Sequence, residues 1–488
     1  MSKSIGKNII FKLLLNLFNI VVPIIIGPYV YRKLGDTLNG YITFTDSIYQ
    51  YFFVFASFGI YQYGIREISR VRDNKDKLES VFTSLFTVTM VTNILSTIGY
   101  VVFINFRYSN EVFYSACIVT TFNFLANAFY VEWVNEGLEN YDFITIKTII
   151  VRLIYTIAIF LILKSSDNYI QYLLLVVITN IINNLLSFIY VKSKIKFKFD
   201  KMHIKKHIRP MFLVVILSNA NVLYTQLDKF MLGELVSMDS VGYYGLAQKI
   251  MTIISSFMLT IVQVTIPRLS SYLSKDKGED YSKLLDKITG IYFLFVFPAA
   301  VGMFSLSYEI VKIYGGEEFI SAAPILAGFS IYMVTVAYEN IISNQVLYIN
   351  GKEKVQVKIV FFSGVINLLL NIILVKYNKF NATNAIITTT IANCILILIE
   401  YIYMKLKLKM NINLFTINKL KYGIISLIFI PIIYILKFLI QSVFIYTILS
   451  ATVCGIIYII ILILTKDEVI ISIKNIIMRK IKQNVTNN

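Results

Sequence analysis

Apolar residues in this chain come in long continuous runs, and short polar stretches rich in lysine and arginine separate them. Each run is about 20 residues long, the length of helix that crosses roughly 30 Å of hydrocarbon. Backbone amides in lipid must be satisfied internally, so such runs form helices or closed barrels, and barrel strands would alternate apolar and polar positions. The runs are continuous, so the pattern predicts an all-α polytopic membrane protein with about 14 transmembrane helices. The predicted spans are 9–31, 41–63, 80–104, 112–133, 143–163, 169–191, 210–235, 243–267, 285–308, 320–349, 355–375, 382–404, 419–440 and 443–464.

The composition fits a chain embedded in lipid. The 488 residues are 57% hydrophobic and 15% charged, whereas a soluble domain carries about 25% charged residues. The three cysteines lie inside apolar runs, and the two histidines, His203 and His207, lie in one basic loop, where we expect them to be solvated. No spacing typical of a disulfide framework or a metal site occurs, and no catalytic residues stand out. We therefore predict no metal, no cofactor and no enzymatic activity.

The distribution of positive charge predicts the orientation of the chain. When the spans are numbered in order, the large majority of the 46 Lys and Arg residues fall on the side that carries the N-terminus. Cytoplasmic segments of membrane proteins carry such an excess, so both termini are predicted to be cytoplasmic. The net charge of +18 is scattered over short loops, where it sets topology and meets anionic lipid heads, and this argues against nucleic acid as a partner.

Two segments of the chain resemble each other at an offset of 202 residues. GYITFTDSI, which starts at Gly40, aligns with GYYGLAQKI, which starts at Gly242, and Arg66 aligns with Arg268 without a gap. Six predicted spans precede the basic stretch 192–209 and six follow it. An even number of helices gives both halves the same orientation, so the pattern predicts two parallel six-helix lobes with a cavity between them.

The repeat divides the chain into five predicted regions. They are an N-terminal lobe (1–191), a basic cytoplasmic connector (192–209), a C-terminal lobe (210–404), two additional helices (405–464) and a cytoplasmic amphipathic tail (465–488). In the tail, isoleucines recur on one helical face with basic residues among them. This pattern is typical of a helix that lies on a membrane surface.

Several motifs carry a resemblance to a known family. They are QLDKFMLGELVSMDSVGYYGLAQKI (226–250), YGIREIS (63–69), IPRLSSYLSKDKGEDYSKLL (266–285) and NGKEK (350–354) followed by VINLLLNIILV (365–375). In order and spacing these motifs resemble the polysaccharide (O-antigen type) flippase family. That family shares a superfamily with multidrug and toxin extrusion (MATE) proteins and lipid II flippases, so the resemblance implies a MATE-like fold. The likeness covers spans 1 to 12 and fades after Tyr401, which leaves the role of spans 13 and 14 open.

The resemblance also implies an activity and a location. Members of the family move an undecaprenyl-pyrophosphate-linked oligosaccharide unit from the cytoplasmic to the outer leaflet of the bacterial cytoplasmic membrane, by alternating access. The unit then enters polysaccharide biosynthesis, so a polysaccharide polymerase and glycosyltransferases are candidate partners beside the lipid-linked oligosaccharide and membrane lipids.

Two other functions stay open at this point. A MATE-like exporter of drugs, or of another lipid-linked precursor, would share the fold, and the intramembrane charges have both signs. A membrane polysaccharide polymerase fits less well. Such an enzyme needs a sizeable loop or domain for its catalytic groups, and no predicted loop is large enough.

Charged residues inside the predicted spans are candidates for a translocation cavity, because burying a charge in a bilayer is costly. Asp228 and Lys229 are adjacent in span 7, and Lys249 lies at a similar depth in span 8. Neighbours on a helix point about 100° apart, so we predict that Asp228 pairs with Lys249. The pair is either part of the transport path or a structural link between the two spans, and Lys229 either joins the cavity or snorkels outward.

Arginines supply a second set of cavity candidates. Arg66 and Arg268 end spans 2 and 8 on the predicted cytoplasmic side, and Arg152 lies in the first turns of span 5. Guanidinium groups suit a diphosphate, so Arg66 and Arg268 are candidates for meeting the entering head group. The alternatives are a positive-inside anchor for these two and a snorkelling side chain for Arg152.

Two carboxylates and two prolines complete the candidates. Glu339 lies deep in span 10 and Asp46 lies one turn inside span 2, so both are candidates for coupling an ion or a proton to transport. Hydrogen bonding to neighbouring Asn or Tyr side chains is the structural alternative for Glu339. Pro23 and Pro28 in span 1 are predicted to kink or break that helix, either as a bending gate or as a static shape.

Overall fold

The computed structural model describes residues 5–275, 278–410 and 412–471, and within them the chain is built from α-helices. This confirms the predicted all-α class. The chain divides into two compact units, residues 1–245 and 246–488. The lobe boundaries predicted at 191 and 210 stay a prediction.

The helices are numbered in chain order. The first unit contains α1 (Ile5–Ser57), α2 (Ile60–Val71), α3 (Lys75–Tyr108), α4 (Tyr114–Ala128), α5 (Glu132–Gly137), α6 (Tyr141–Ile162), α7 (Tyr169–Lys192), α8 (Ile204–Leu235) and the start of α9 (Met238–Ser274). The second unit contains the rest of α9, α10 (Gly278–Ser305), α11 (Ser307–Gly315), α12 (Ala323–Asn340), a π-helix (Ile341–Leu347), α13 (Glu353–Lys376), α14 (Ala382–Leu406), α15 (Ile417–Ser426), α16 (Phe429–Leu439) and α17 (Val443–Leu464).

Every predicted span falls on one or two of these helices. Among the described residues, 11 helical stretches are long and apolar enough to cross a membrane. Predicted spans 1 and 2 share one of these stretches, Leu14–Val71, and spans 4 and 7 are not among the 11. The protein is therefore a multi-pass membrane protein, and the count of about 14 crossings stays a prediction.

The break in α1 lies at a glycine. Gly35 has φ 74° and ψ 179°, while Pro23 and Pro28 both lie inside the helix that precedes it. A positive φ of this kind is accessible to glycine at little steric cost. The kink or break predicted at Pro23 and Pro28 stays a prediction, and Gly35 is a further break that was not predicted.

Aromatic side chains form much of the core of the first unit. Trp133 and Phe82 are fully buried, and their ring centroids lie 6.1 Å apart. Helix α2 lies close against this core because Gly64 has no side chain, and a Cβ there would lie 2.5 Å from Trp133 Cε3. Trp133 belongs to the short helix α5, which follows a break between Ala128 and Glu132 in predicted span 4.

The basic connector after α7 is hydrogen-bonded along helix α3. Polar side chains of α3 accept hydrogen bonds from the backbone N–H groups of the connector. The backbone N–H of Lys196 donates to Glu79 Oε1 at 3.2 Å, and that of Lys198 donates to Thr83 Oγ1 at 2.8 Å. The N–H of His203 donates to Ser84 Oγ at 2.9 Å. This part of the connector is therefore fixed to the first unit.

His207 corrects an expectation of the sequence analysis. Its side chain is 2% exposed rather than solvated. His207 Nδ1 lies 2.8 Å from Tyr63 Oη. Burial lowers the pKa of this histidine from its ordinary value of 6.5, so the neutral ring is favoured in the folded protein.

Predicted spans 13 and 14 correspond to α15–α16 and α17, and they pack on the core of the second unit. Tyr458 Oη donates to the backbone oxygen of Leu294 at 3.0 Å. Buried Lys419 reaches Asp286 Oδ1 at 2.6 Å. Leu294 and Asp286 both belong to α10, so the two additional helices are fastened to that helix at two levels.

The start of the tail is anchored to α15. Asp467 accepts hydrogen bonds from the backbone N–H groups of Val469 and Ile470 at 2.9 and 3.1 Å. Its other oxygen accepts from Tyr422 Oη at 3.2 Å. The amphipathic face predicted for the tail lies mostly at 472–488, which is outside the described residues.

Candidate functional site

The candidates of span 7 lie on α8 and are buried. Asp228 is 2% exposed, and Tyr244 Oη donates to its Oδ2 at 2.7 Å. Lys229 is 8% exposed and donates from Nζ to Gln226 Oε1 at 3.1 Å. Whether Lys229 joins a cavity or snorkels outward stays a prediction. Lys249 has an exposed side chain and belongs to the second unit, and its pairing with Asp228 stays a prediction.

Arg66 and Arg268 have similar environments, each in its own unit. The side chain of Arg66 is 53% exposed, with Nε 3.3 Å from Glu67 Oε1 and the guanidinium 5.1 Å from the centroid of the Tyr63 ring. Arg268 is also exposed and donates to Tyr272 Oη from Nε at 3.2 Å and from Nη2 at 3.0 Å. Both guanidinium groups therefore keep exposed surface beside an aromatic ring.

The other candidates are more scattered. Arg152 is partly buried on α6. Asp46 is exposed on α1, where Gln50 Nε2 lies 3.4 Å from its Oδ1. Among the described residues, no group of three or more His, Cys, Asp or Glu side chains is arranged to hold a metal ion.

Glu339 and Glu400 are carboxylates inside the predicted spans of the second unit, the first partly buried and the second fully buried. Glu339, at the end of α12, accepts a hydrogen bond from Asn393 Nδ2 at 2.7 Å. Glu400, on α14, is 0% exposed and accepts from Ser343 Oγ at 2.8 Å. Glu400 Oε2 is buried and has no hydrogen-bond partner within the described ranges. The sequence analysis missed Glu400, although a carboxylate inside a predicted span is itself a functional signal.

A π-helix brings Ser343 to Glu400. It spans Ile341–Leu347 and follows Glu339 after a single residue, Asn340. π-helical turns are rare and occur often at functional sites. Since no sequence pattern predicts such a turn, the contact between Ser343 and Glu400 was not accessible from the sequence.

Other polar oxygens near these helices also lack partners. Asn393 Oδ1, Gln345 Oε1 and Asn367 Oδ1 are buried without a hydrogen-bond partner in the described part of the chain. Buried polar atoms are nearly always paired, so each such atom calls for an explanation. These three amide oxygens and Glu400 Oε2 are acceptors, while Tyr338 Oη and Ser363 Oγ are hydroxyls in the same state. Acceptor oxygens suit a proton or a hard cation.

The first unit holds a buried ion pair that the sequence analysis did not find. Lys147 Nζ, on α6, lies 2.7 Å from Glu132 Oε1 and also donates to Ser187 Oγ at 2.7 Å. Glu132 Oε2 accepts from Ser187 Oγ at 2.9 Å and from Asn135 Nδ2 at 3.0 Å. Lys147 is 6% exposed. Neither Lys147 nor Glu132 was among the candidates predicted from the sequence.

The segments related by the 202-residue offset meet inside the first unit. A Cβ on Gly40 would lie 2.0 Å from the backbone oxygen of Met238, and a Cβ on Gly242 would lie 2.3 Å from that of Asp36. Thr37 Oγ1 donates to Asp239 Oδ1 at 2.5 Å, and these two residues are also 202 apart. The contact is reciprocal, as in a two-fold interface, and it requires glycine at both aligned positions.

The sequence of this chain is similar to those of known membrane transport proteins. A family model described as polysaccharide biosynthesis protein matches residues 5–273, and the MatE model matches residues 210–373. A Shigella dysenteriae protein that is provisionally named an O-antigen transporter is 23% identical over 401 residues. That alignment covers 80% of this chain and 98% of the relative.

Two solved structures share the fold. The lipid II flippase MurJ in an inward closed conformation has a TM-score of 0.69 at 18% identity, and the match covers 94% of this chain and 99% of that one. An inward-facing multidrug resistance MATE transporter has a TM-score of 0.63 at 13% identity, covering 82% of this chain and 98% of the transporter.

The helices and their buried charges thus define a multi-pass membrane protein with the fold of MATE exporters and lipid II flippases. The polysaccharide biosynthesis model matches more than half of the sequence. The chain belongs to that family, and the resemblance inferred from the motifs is confirmed.

Proposed function

We propose that this protein is a flippase that moves undecaprenyl-pyrophosphate-linked oligosaccharide units from the cytoplasmic to the outer leaflet of a bacterial cytoplasmic membrane. It works by alternating access, with both termini in the cytoplasm. One observation carries the proposal. The chain aligns with 98% of the length of a relative that is named for O-antigen transport. The buried charges on apolar helices support it, because such charges mark substrate or ion pathways.

The diphosphate of the substrate is recognised by exposed cationic groups at the cytoplasmic ends of the spans. Arg66 and Arg268 keep their guanidinium groups exposed beside tyrosine rings. A guanidinium offers paired N–H donors that match phosphate oxygens. In this mechanism Asp228, Lys229 and Lys249 line the later part of the path, and Arg152 is a further cavity candidate.

Carboxylates of the second unit couple an ion or a proton to the cycle. Glu339 and Glu400 have an amide and a hydroxyl as their described partners, not a cation. Binding of a proton or a hard cation would neutralise them and satisfy the neighbouring acceptor oxygens. Asp46 is the alternative coupling residue. Pro23 and Pro28, which precede Gly35 on α1, are candidates for a bending gate.

The direct test follows labelled lipid-linked oligosaccharide in cells depleted of the protein, with its appearance in the outer leaflet as the readout. We expect delivery to fall on depletion and to return with the wild-type chain. Replacing both Arg66 and Arg268 by Ala removes two charge-assisted contacts, each worth about 1.5–3 kcal/mol. Rescue by that variant should fall at least about tenfold. The double Lys variant keeps the charges and should rescue partly.

Arg70 supplies the control. It lies on the same helix as Arg66, bonds the same Glu67 and is 64% exposed, so Arg70→Ala tests the loss of a surface charge alone. Undiminished outer-leaflet delivery on depletion, in cells with no second carrier, would reject the proposal. Equal losses from Arg70→Ala and the double variant would leave Arg66 and Arg268 as topology anchors.

A MATE-like exporter of small molecules is the second candidate, and the acidic pair Glu339 and Glu400 favours it. The same depleted cells separate the two functions. An exporter predicts increased sensitivity to cationic drugs with normal delivery of the glycolipid, whereas a flippase predicts the reverse.

A further inference from the structure

The two additional helices enclose a cavity that none of the predictions above uses. Its volume is about 280 Å³, and it lies among the end of α10, the start of α11, α16 and α17, all in the second unit. By the predicted topology these helix ends face the outer side of the membrane. The volume lies just below the range of about 300–1,000 Å³ typical of ligand pockets, so there is room for one small ring.

Polar groups lie on one wall of this cavity. Glu309 is 5% exposed, and the ion-pair partner that the structure gives it is Lys437, whose Nζ is 3.4 Å away and whose side chain is 62% exposed. Ser305 Oγ also lines the cavity and is buried without a hydrogen-bond partner in the described ranges. A buried carboxylate held by one distant, solvated partner can accept further hydrogen bonds.

Aromatic rings also line the cavity. Tyr434 is 63% exposed and Tyr308 is 40% exposed, and Phe304 lies beside them. Flat aromatic faces pack against the C–H faces of sugar rings, while an adjacent carboxylate and hydroxyl accept and donate hydrogen bonds to sugar hydroxyls. The cavity thus combines the two surfaces that a pyranose ring presents.

The charges select for an uncharged ligand. Lys437 Nζ lies 5.8 Å from the centroid of the Tyr308 ring, where it occupies the position that a cationic ligand would take. Glu309 at the wall repels a phosphate. A neutral, hydroxyl-rich ligand meets neither obstacle.

We infer that this cavity is a saccharide subsite that holds one neutral sugar ring at the outer end of α10, α16 and α17. The inference rests on the proposed function, because a flippase of this kind delivers an oligosaccharide to that side of the membrane. It gives the two additional helices a role, since α16 supplies Tyr434 and Lys437 and α17 supplies Tyr446.

The test uses the purified full chain in lipid nanodiscs and saturation-transfer NMR with methyl glucoside, methyl galactoside and N-acetylglucosamine as probes. At least one sugar should bind the wild-type protein. Glu309→Gln weakens the hydrogen bonds at the wall, and Tyr434→Ala removes a ring face, so each should weaken binding about tenfold. Glu317→Gln is the matched control because Glu317 pairs with Lys312 and does not line the cavity.

Three outcomes would overturn the inference: no sugar binds, the variants bind as well as the wild type, or inorganic phosphate or choline binds the cavity in place of sugars. Thermal unfolding of each variant shows that a loss is not a folding defect. The readout is separate from the leaflet assay. Sugar binding without glycolipid delivery would reject the proposed function and keep the subsite, and delivery without sugar binding would reject the subsite alone.

Discussion

Two buried polar clusters, one in each unit, differ in how their charges are neutralised. In the first, Lys147 and Glu132 neutralise each other at 2.7 Å, and Ser187 bridges both side chains. In the second, Glu339 and Glu400 are bound by neutral donors, and Glu400 Oε2 is left without a described partner.

The comparison separates a structural polar cluster from a functional one. A buried ion pair with all its hydrogen bonds made holds helices in place and resists change. A pair of carboxylates without a cation has two accessible states, charged and neutralised, and its stability depends on what it binds. We therefore expect substitutions of Lys147 and Glu132 to affect folding, and substitutions of Glu339 and Glu400 to affect transport.

The largest effect is expected for Lys147→Met. It leaves Glu132 buried without a cation, and breaking a buried pair on one side costs about 3–5 kcal/mol. The free energy of unfolding, measured by denaturant titration in mixed micelles, should fall by that amount. Transport per folded molecule should stay close to that of the wild type.

The double variant Lys147→Met with Glu132→Gln is the control. It removes both charges at once, so most of the lost stability should return. A double variant as unstable as Lys147→Met would mean that shape and not charge governs this site, and the contrast between the two units would lose its basis.

An intermediate effect is expected for Glu339→Gln and Glu400→Gln. Each keeps the side-chain volume and removes the charge that a coupling ion or proton would neutralise. Outer-leaflet delivery should fall about 10- to 100-fold, equivalent to about 1.4–2.7 kcal/mol. The unfolding free energy should change by less than about 1 kcal/mol, because no buried cation is left unpaired.

Glu279→Gln is the matched substitution. Its carboxylate is 89% exposed and paired only with Lys283 on the same helix in the described structure, so delivery should be unaffected. If Glu339→Gln and Glu400→Gln instead unfold the protein while leaving delivery intact, the second cluster is structural like the first.

The smallest effect is expected for the pH dependence of stability that His207 gives the first unit. Burial lowers its pKa below 6.5, so its stabilising contribution is present above the ordinary pKa and is lost as the pH falls through and below it. The wild type should lose unfolding free energy on acidification below about pH 6.5, and His207→Gln should lose less. His203→Gln, at an exposed position, should follow the wild type.

The helices were predictable from the sequence because each apolar run must satisfy its own backbone in lipid. Gly40 and Gly242 were also found, since a repeat retains the residues that its contact needs. The pairing of Lys147 with Glu132 was not predicted, because Glu132 opens the short helix α5 after a break that the apolar pattern does not show. The break at Gly35 in α1 was not predicted, because a single glycine inside an apolar run does not show whether its φ is positive.

The candidate site was predicted only in part. Glu339 and Asp228 were identified as intramembrane charges, and both are bonded to polar side chains. The partners themselves could not be predicted, because Ser343 reaches Glu400 through a π-helical turn and Asn393 reaches Glu339 from another helix. Such contacts depend on how each helix is rotated about its axis. The spacing of apolar residues defines only a broad apolar stripe, so it does not fix that rotation.

The fastening of the basic connector to α3 has a practical consequence for handling the protein. Lysines recur throughout this stretch, so its sequence predicts a preferred site for trypsin or for inserting an affinity tag. Its backbone N–H groups at Lys196, Lys198 and His203 are instead engaged by α3 side chains. A protease needs an extended, free backbone, so digestion should spare this segment, and an inserted tag would have to disrupt those bonds.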